Sequence, residues 1–218
     1  MTWLLWREYR LNRWILLTGA VLILLPYAYA VLLDVDRSFH FFGAWVSSTG
    51  SAYLTVALLA GNAIAGEQVD RSAEFIAYLP LERWRLVASK LLLFLIAFAL
   101  IWAPIFWGAT QITLPVEMAH LVDVRGFTIC VLFFYGVGWL FTSILSSPVY
   151  ACAMTLVTSA LLYGGAVGIA VICGFQADLL NDKDAHETVR FWCAMIMLPV
   201  AIICFGIGTW NYLRGSQT

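Results

Sequence analysis

The chain alternates between long apolar stretches and short polar ones, and this alternation limits its fold more than any other feature. Six stretches consist almost wholly of apolar residues, and each is long enough to cross ~30 Å of hydrocarbon, which takes about 20 residues. They are residues 14–33, 42–65, 91–112, 126–145, 149–173 and 191–213. A soluble core cannot hide so many such stretches. We therefore predict an all-α, polytopic integral membrane protein with six transmembrane helices, forming one domain over residues 1–218.

The composition agrees with this prediction. Hydrophobic residues make up 62% of the chain and charged residues only 11%, whereas soluble domains contain about 25% charged residues. The charge is concentrated in a polar segment, residues 66–90, between the second and third apolar stretches. This segment is the largest part of the chain that we expect to face water on the more basic side.

The first 13 residues combine three arginines with two tryptophans, a pattern typical of segments at the membrane surface. We therefore predict an N-terminal interfacial helix here. A signal peptide is the alternative, with Trp14–Leu25 as its apolar core and residues 28–30 (Ala-Tyr-Ala) as a cleavage pattern. Because the apolar run continues through Leu33 and reaches the length of a full span, a retained first span is favoured over a cleaved one.

Lys and Arg residues are divided unevenly between the two sides of the predicted bundle. Eight of the 12 fall on the side of the N-terminus, the 66–90 segment, the 146–148 turn and the C-terminal tail. The more basic side of a membrane protein faces the cytoplasm. We therefore expect a multi-pass protein of the cell membrane, embedded in the lipid bilayer, with both termini cytoplasmic.

This assignment leaves no Asp, Glu, Lys or Arg inside the predicted spans. Ionisable residues within spans mark proton relays, ion paths and substrate counter-charges. Their absence argues against an ion-coupled transporter and against an intramembrane enzyme that uses carboxylates, metals or histidine.

The chain also lacks a phosphate-binding P-loop, in which backbone amides and a lysine from Gly-Lys-Ser/Thr hold the phosphates. Its two lysines follow Ser89 and Asp182 instead. We therefore expect no ATPase activity and no bound cofactor in this chain. If ATP drives it, ATP and Mg are bound by another subunit. Nothing in the charge pattern indicates nucleic acid as a partner.

The histidines and cysteines give no clear motif. His40, His120 and His186 fall one in each predicted outer loop, and their spacing does not predict a metal site. The five cysteines lie in or beside apolar stretches, which favours small buried thiols over a disulfide framework. Whether Cys173 and Cys193, at the two ends of one loop, form a disulfide stays open.

Within the 66–90 segment, residues 69–79 have the pattern of a short amphipathic helix. Its apolar side includes Phe75 and Leu79, and its polar side includes Asp70 and Glu74. Pro80 ends the pattern, since proline disfavours helix in the preceding residue. From the pattern alone, this helix either connects two spans or docks a cytoplasmic partner.

Three motifs around this segment resemble permease subunits of ATP-binding-cassette (ABC) exporters of the type-2 group. They are Gly66-Glu67 at the end of the second span, Leu79-Pro80 followed by Arg83, and Lys90 before the third span. The opening residues 4–14 (LLWREYRLNRW) are also similar to the interfacial helix of that family.

One departure concerns residues 71–72, which are Arg-Ser here where many members of the family have Gly-Thr. It leaves the start of the family's coupling helix undefined in this chain.

The resemblance implies a permease that exports a lipid-like, glycan, peptide or drug substrate, and a short cytoplasmic coupling helix near residues 71–79. That helix would dock on a separate cytoplasmic ATPase subunit. Two permease copies, identical or different, would work with two ATPases. The predicted docking residues are Glu67, Asp70, Arg71, Glu74, Phe75, Tyr78, Leu79, Pro80 and Arg83.

Two polar residues within the spans, Asn62 and Gln111, are candidates for a substrate path. Hydrogen bonding between helices is the alternative role for both. For the whole chain, the alternative to a permease is a membrane-anchored assembly or sensor protein whose 66–90 segment docks a partner other than an ATPase.

Overall fold

The computed structural model describes residues 2–32, 37–69, 83–112, 122–172 and 183–214. These residues form six α-helices and no strand, which confirms the all-helical prediction for the part of the chain described. The helices are α1 (Thr2–Leu32), α2 (Arg37–Val69), α3 (Arg83–Gln111), α4 (Val124–Ile144), α5 (Pro148–Ile172) and α6 (Lys183–Arg214). Within the described residues, each predicted apolar stretch falls on one of these helices, except that Ile112 and Leu145 come just after a helix end.

Five of the helices, α1, α3, α4, α5 and α6, are long and apolar enough to cross a membrane. Their outward side chains are apolar, with Leu32, Leu100, Leu161 and Ile202 each exposing 70% or more of their surface. The remaining helix, α2, is not among the five. Its middle part is rich in Ser, Thr, Gly and Ala, which makes it less apolar. The count of six spans therefore stays a prediction.

Helix α2 lies at the centre of the bundle and packs against α1, α3, α4 and α5. Its residues Ala52, Val56, Ala57 and Ala60 are completely buried. Small side chains let neighbouring helices approach closely, which is how helices associate when lipid surrounds them. The low hydropathy of α2 fits this position, because much of its surface faces other helices and only part of it, including Val46, is exposed.

Glycines at helix crossings bring the backbones into contact. A Cβ atom added at Gly61 in α2 would lie 3.0 Å from the backbone nitrogen of Cys152 in α5. One added at Gly136 in α4 would lie 2.5 Å from the carbonyl oxygen of Ala201 in α6. Both glycines therefore serve packing within one chain.

Helix α1 runs without interruption through residues 2–32, so the N-terminal segment and the first apolar stretch are one helix. This differs from the interfacial helix that we expected as a separate element. The buried residues of α1 recur every three, four or seven positions and so lie on one side of the helix. They are Leu4, Glu8, Asn12, Gly19, Ile23, Tyr27 and Ala30. Near its start this buried stripe carries two polar residues, Glu8 and Asn12.

The predicted tight turn between the fourth and fifth apolar stretches is confirmed. Helix α4 ends where the Leu145 N–H donates to the Phe141 carbonyl at 2.8 Å. Pro148 is the first residue of α5, a position where its fixed φ angle and missing N–H cost nothing. The Ala151 N–H donates to the Ser147 carbonyl at 3.0 Å, which closes the first turn of α5.

Candidate functional site

Of the nine residues predicted to dock an ATPase, the structure describes Glu67 and Arg83. The predicted coupling helix lies outside the described residues, as do seven of the predicted docking residues. These are Asp70, Arg71, Glu74, Phe75, Tyr78, Leu79 and Pro80. What the structure does describe is the two ends of the 66–90 segment, where it leaves α2 and where it enters α3.

Both ends meet in a buried ionic cluster, which we define as Arg7, Glu8, Glu67 and Lys90. The Lys90 Nζ atom lies 3.0 Å from Glu8 Oε2 and 3.0 Å from Glu67 Oε1. It also donates a hydrogen bond to the carbonyl oxygen of Ala63. Lys90 therefore makes two hydrogen bonds, to Glu8 and Ala63, and an ion pair with Glu67.

Glu67 extends the cluster to two more helices. Its carboxylate accepts a hydrogen bond from the Arg7 guanidinium in α1. It accepts another from the Tyr212 hydroxyl in α6, at 3.3 Å. Its side chain is 3% exposed. Through Glu67 and Lys90, the cluster joins α1, α2, α3 and α6.

The cluster contains two cations and two anions, so its charges balance. The side chains of Glu8, Glu67 and Lys90 are each 2–3% exposed, and that of Arg7 is 15% exposed. Taking a single charge out of water costs several kcal/mol, and good pairing offsets that cost. Removing one partner from such a pair typically destabilises a protein by about 3–5 kcal/mol. Burial of each of these four charged side chains therefore depends on the presence of the others.

Neutral polar side chains surround the cluster. The Asn62 Nδ2 atom in α2 donates to Asn12 Oδ1 in α1 at 2.9 Å, and the Asn12 amide donates to the Glu8 carbonyl at 3.0 Å. The Arg83 guanidinium in α3 donates to the Tyr212 carbonyl in α6 at 3.5 Å. Asn62 therefore makes a hydrogen bond between helices, and Arg83 ties the start of α3 to α6.

Helix periodicity explains how short stretches supply these contacts. Glu8 and Asn12 are four residues apart and lie on the same side of α1. Ala63 and Glu67 are also four residues apart, so one Lys90 ammonium reaches both the carbonyl of the first and the carboxylate of the second. The small side chain of Ala63 leaves room for this approach.

The sequence predicts that Glu67 and Lys90 lie in a segment that faces water. In the structure, both side chains are buried. Burial is possible because the polar part of the α1 stripe supplies partners for them. Arg7, Glu8 and Tyr212 are members or neighbours of the site that sequence reasoning missed. One sequence feature could have predicted the buried position of Glu8. The spacing of Glu8 and Asn12 continues the buried stripe of α1 into the N-terminal segment.

The two residues predicted to line a substrate path are not brought together. Asn62 contacts the surroundings of the cluster, whereas Gln111 is exposed at the opposite end of α3 and donates to Thr110 Oγ1 at 3.3 Å. Twenty-one residues separate Gln111 from Lys90, which corresponds to ~32 Å of helix at 1.5 Å per residue. A path that uses both would have to cross nearly the whole bundle.

The described residues contain no group of three or more His, Cys, Asp or Glu that could hold a metal ion. Cys130, Cys152, Cys193 and Cys204 form no disulfide with one another. Cys173 lies outside the described residues, so its pairing with Cys193 stays untested. The cluster's chemistry is that of ion pairing between helices, because Lys90 of α3 is paired with Glu8 of α1 and Glu67 of α2.

The apolar helices, the outward-facing leucines and isoleucines and the polar residues gathered inside the bundle indicate an α-helical, membrane-embedded protein. Comparison of the chain with protein-family models, curated proteins and solved structures finds no match.

Proposed function

We propose that this chain is the permease subunit of an ATP-driven ABC exporter of the type-2 group, in the cell membrane, with six spans and both termini in the cytoplasm. The resemblance of Gly66-Glu67, Leu79-Pro80, Arg83 and Lys90 to that family supports the proposal. ATP and Mg would be bound by a separate cytoplasmic ATPase, and a second permease copy would complete the unit. The substrate would be a lipid-like, glycan, peptide or drug molecule.

The observation that carries the proposal is the contact between Glu67 and Lys90, whose charged atoms lie 3.0 Å apart. These residues stand on either side of the segment predicted to dock the ATPase. Their contact holds the two ends of that segment together. Two of the residues that carry the family resemblance are therefore direct partners in the fold.

The cluster would also transmit a movement of the docking segment to the helices of the bundle. Glu67 is hydrogen-bonded to Arg7 of α1 and to Tyr212 of α6, and Lys90 is hydrogen-bonded to Glu8 of α1. A push on the segment would therefore act on α1, α2, α3 and α6 as one unit. Separating these partners would leave buried charges unpaired, at a cost of about 3–5 kcal/mol, which keeps such a unit together.

The test is to isolate the tagged full-length chain from its native membrane in mild detergent and to measure ATP hydrolysis in the eluate. We expect an ATPase to be isolated with the wild-type chain. We expect it to be lost with the double variant Phe75→Ala/Leu79→Ala, because apolar and aromatic side chains dominate the binding energy of interfaces.

The matched control is Ile96→Ala/Leu100→Ala, which removes comparable apolar side chains from the exposed face of α3 and should leave the ATPase bound. If the wild-type chain brings down no ATPase, the permease proposal fails. The alternative, an assembly or sensor protein in which the 66–90 segment docks a different partner, then takes its place.

A further inference from the structure

A small cavity lies beside the ionic cluster, at the point where α1, α2, α3 and α4 meet. Its volume is about 10 Å³, and its polar lining consists of Glu8, Asn12, Lys90 and Tyr135. The rest of the lining is apolar and comes from α2 and α3. A site of this kind has room for about one water molecule, which needs roughly 10–15 Å³.

Two buried polar atoms at this cavity need a partner. The Tyr135 hydroxyl and Glu8 Oε1 make no hydrogen bond to any described residue. Tyr135 is 5% exposed and Glu8 is 1% exposed, so bulk water does not reach them. Buried polar atoms in proteins nearly always have a hydrogen-bond partner, supplied by the protein or by an ordered water.

The neighbouring groups do not hydrogen-bond these two atoms directly, although the Arg7 guanidinium forms an ion pair with Glu8 Oε1 at 3.7 Å. Lys90 donates hydrogen bonds to Glu8 Oε2 and to the Ala63 carbonyl and forms an ion pair with Glu67. One N–H of the Asn12 amide donates to the Glu8 carbonyl, and the second is left over. A small molecule in the cavity would thus meet an acceptor on Glu8, a hydroxyl on Tyr135 and a donor on Asn12.

We propose that one buried water molecule occupies this cavity and bridges the Tyr135 hydroxyl to the Glu8 carboxylate. Water is the ligand that fits, because it both donates and accepts and because buried waters typically make about three hydrogen bonds. The bridge links α4 to the ionic cluster, whose own members come from α1, α2 and α3. This inference does not depend on what the chain transports.

The experiment has two parts. The first is a crystal structure of the full-length chain in a lipid phase, at a resolution that shows ordered water, where we expect one density peak within hydrogen-bond distance of Tyr135 and Glu8. The second compares the melting temperatures of Tyr135→Phe and Tyr29→Phe in the same detergent. Tyr29 is exposed on α1, so the second variant makes the same chemical change at a position without a buried partner.

We expect Tyr135→Phe to lower the melting temperature by a few degrees and Tyr29→Phe to leave it unchanged, because only the first removes a ligand of the water. If the Tyr135 hydroxyl has no partner, its removal relieves an unfavourable burial and the variant is as stable as wild type or more so. That result, or a map that shows a dry cavity, overturns the proposal. If Tyr135→Phe does not fold, the wild-type map alone decides.

Discussion

The Thr142 hydroxyl of α4 accepts a hydrogen bond from the backbone N–H of Ala65 in α2, at 2.9 Å. The same oxygen accepts a second bond from the Ile64 N–H at 3.2 Å and donates to the Gly61 carbonyl at 2.8 Å. A hydroxyl has one donor and two acceptor sites, so all its capacity is used. The Thr142 side chain thus contacts the turn of α2 from Gly61 to Ala65, just before Glu67.

Thr142→Val should destabilise the protein by about 1–3 kcal/mol, because it keeps the shape of the side chain and removes the hydroxyl from a completely buried site. Thr142→Ser, which retains the hydroxyl and loses one methyl group, is the matched control and should cost less. Thermal unfolding of both variants in the same detergent measures the difference. Equal losses would show that the hydrogen bonds contribute little and that packing explains the effect.

Lys90→Met should cost about 3–5 kcal/mol, because it leaves Glu8 and Glu67 buried with only one cation between them. Adding Glu8→Gln to this variant restores the charge balance, so we expect the double variant to be more stable than Lys90→Met alone. Arg10→Met, which removes a cation from an exposed position on α1, should have little effect. Melting temperatures of the four proteins provide the comparison, and a double variant less stable than Lys90→Met would contradict the role of charge balance.

Gly136→Ala should destabilise the contact between α4 and α6 by about 1–3 kcal/mol, because its methyl group would meet the backbone of Ala201 and force the helices apart. Gly206→Ala in α6 is the control, since a methyl group there meets no atom within 4 Å. In that open position alanine favours helix over glycine by up to about 1 kcal/mol. We therefore expect Gly136→Ala to lower the melting temperature and Gly206→Ala to raise it.

Arg125 and Ser146, exposed at the two ends of α4, should lie on opposite sides of the membrane. Helix α4 has 21 residues, and its length of ~32 Å matches the thickness of the hydrocarbon core. In a chain whose native cysteines are replaced, a membrane-impermeant maleimide added outside intact cells should label Arg125→Cys and leave Ser146→Cys unlabelled until the cells are opened. The reverse pattern would place the 66–90 segment outside and exclude docking to a cytoplasmic ATPase.

The positions of the helices and the 146–148 turn could be predicted from the sequence because their signals are local. An apolar stretch of sufficient length, or a proline after two serines, is visible within a short window. The ionic cluster could not be predicted in this way. Arg7 and Glu67 are 60 residues apart and Glu67 and Tyr212 are 145 residues apart, and nothing in the sequence says which polar residues will meet.

The central place of α2 was also hidden in the sequence. Ranked by hydropathy alone, α2 is the weakest of the six apolar stretches, yet it packs against four other helices. Hydropathy measures how well a helix suits lipid, whereas a helix packed among other helices needs small side chains such as Ala60 and Gly61. The Gly, Ser and Thr residues that lower the hydropathy of α2 are themselves small and allow this packing.

The bond between Tyr212 and Glu67 has a consequence for how the protein is made. Glu67 lies in α2 and Tyr212 near the end of α6, so the ribosome completes α3, α4, α5 and most of α6 before Tyr212 exists. Until then, the Glu67 carboxylate has only Arg7 and Lys90 as partners, because both are synthesised before Tyr212. The newly made chain therefore acquires its ionic contacts in two stages, and a chain that stalls before α6 would expose an incomplete charged site to quality-control proteases in the membrane.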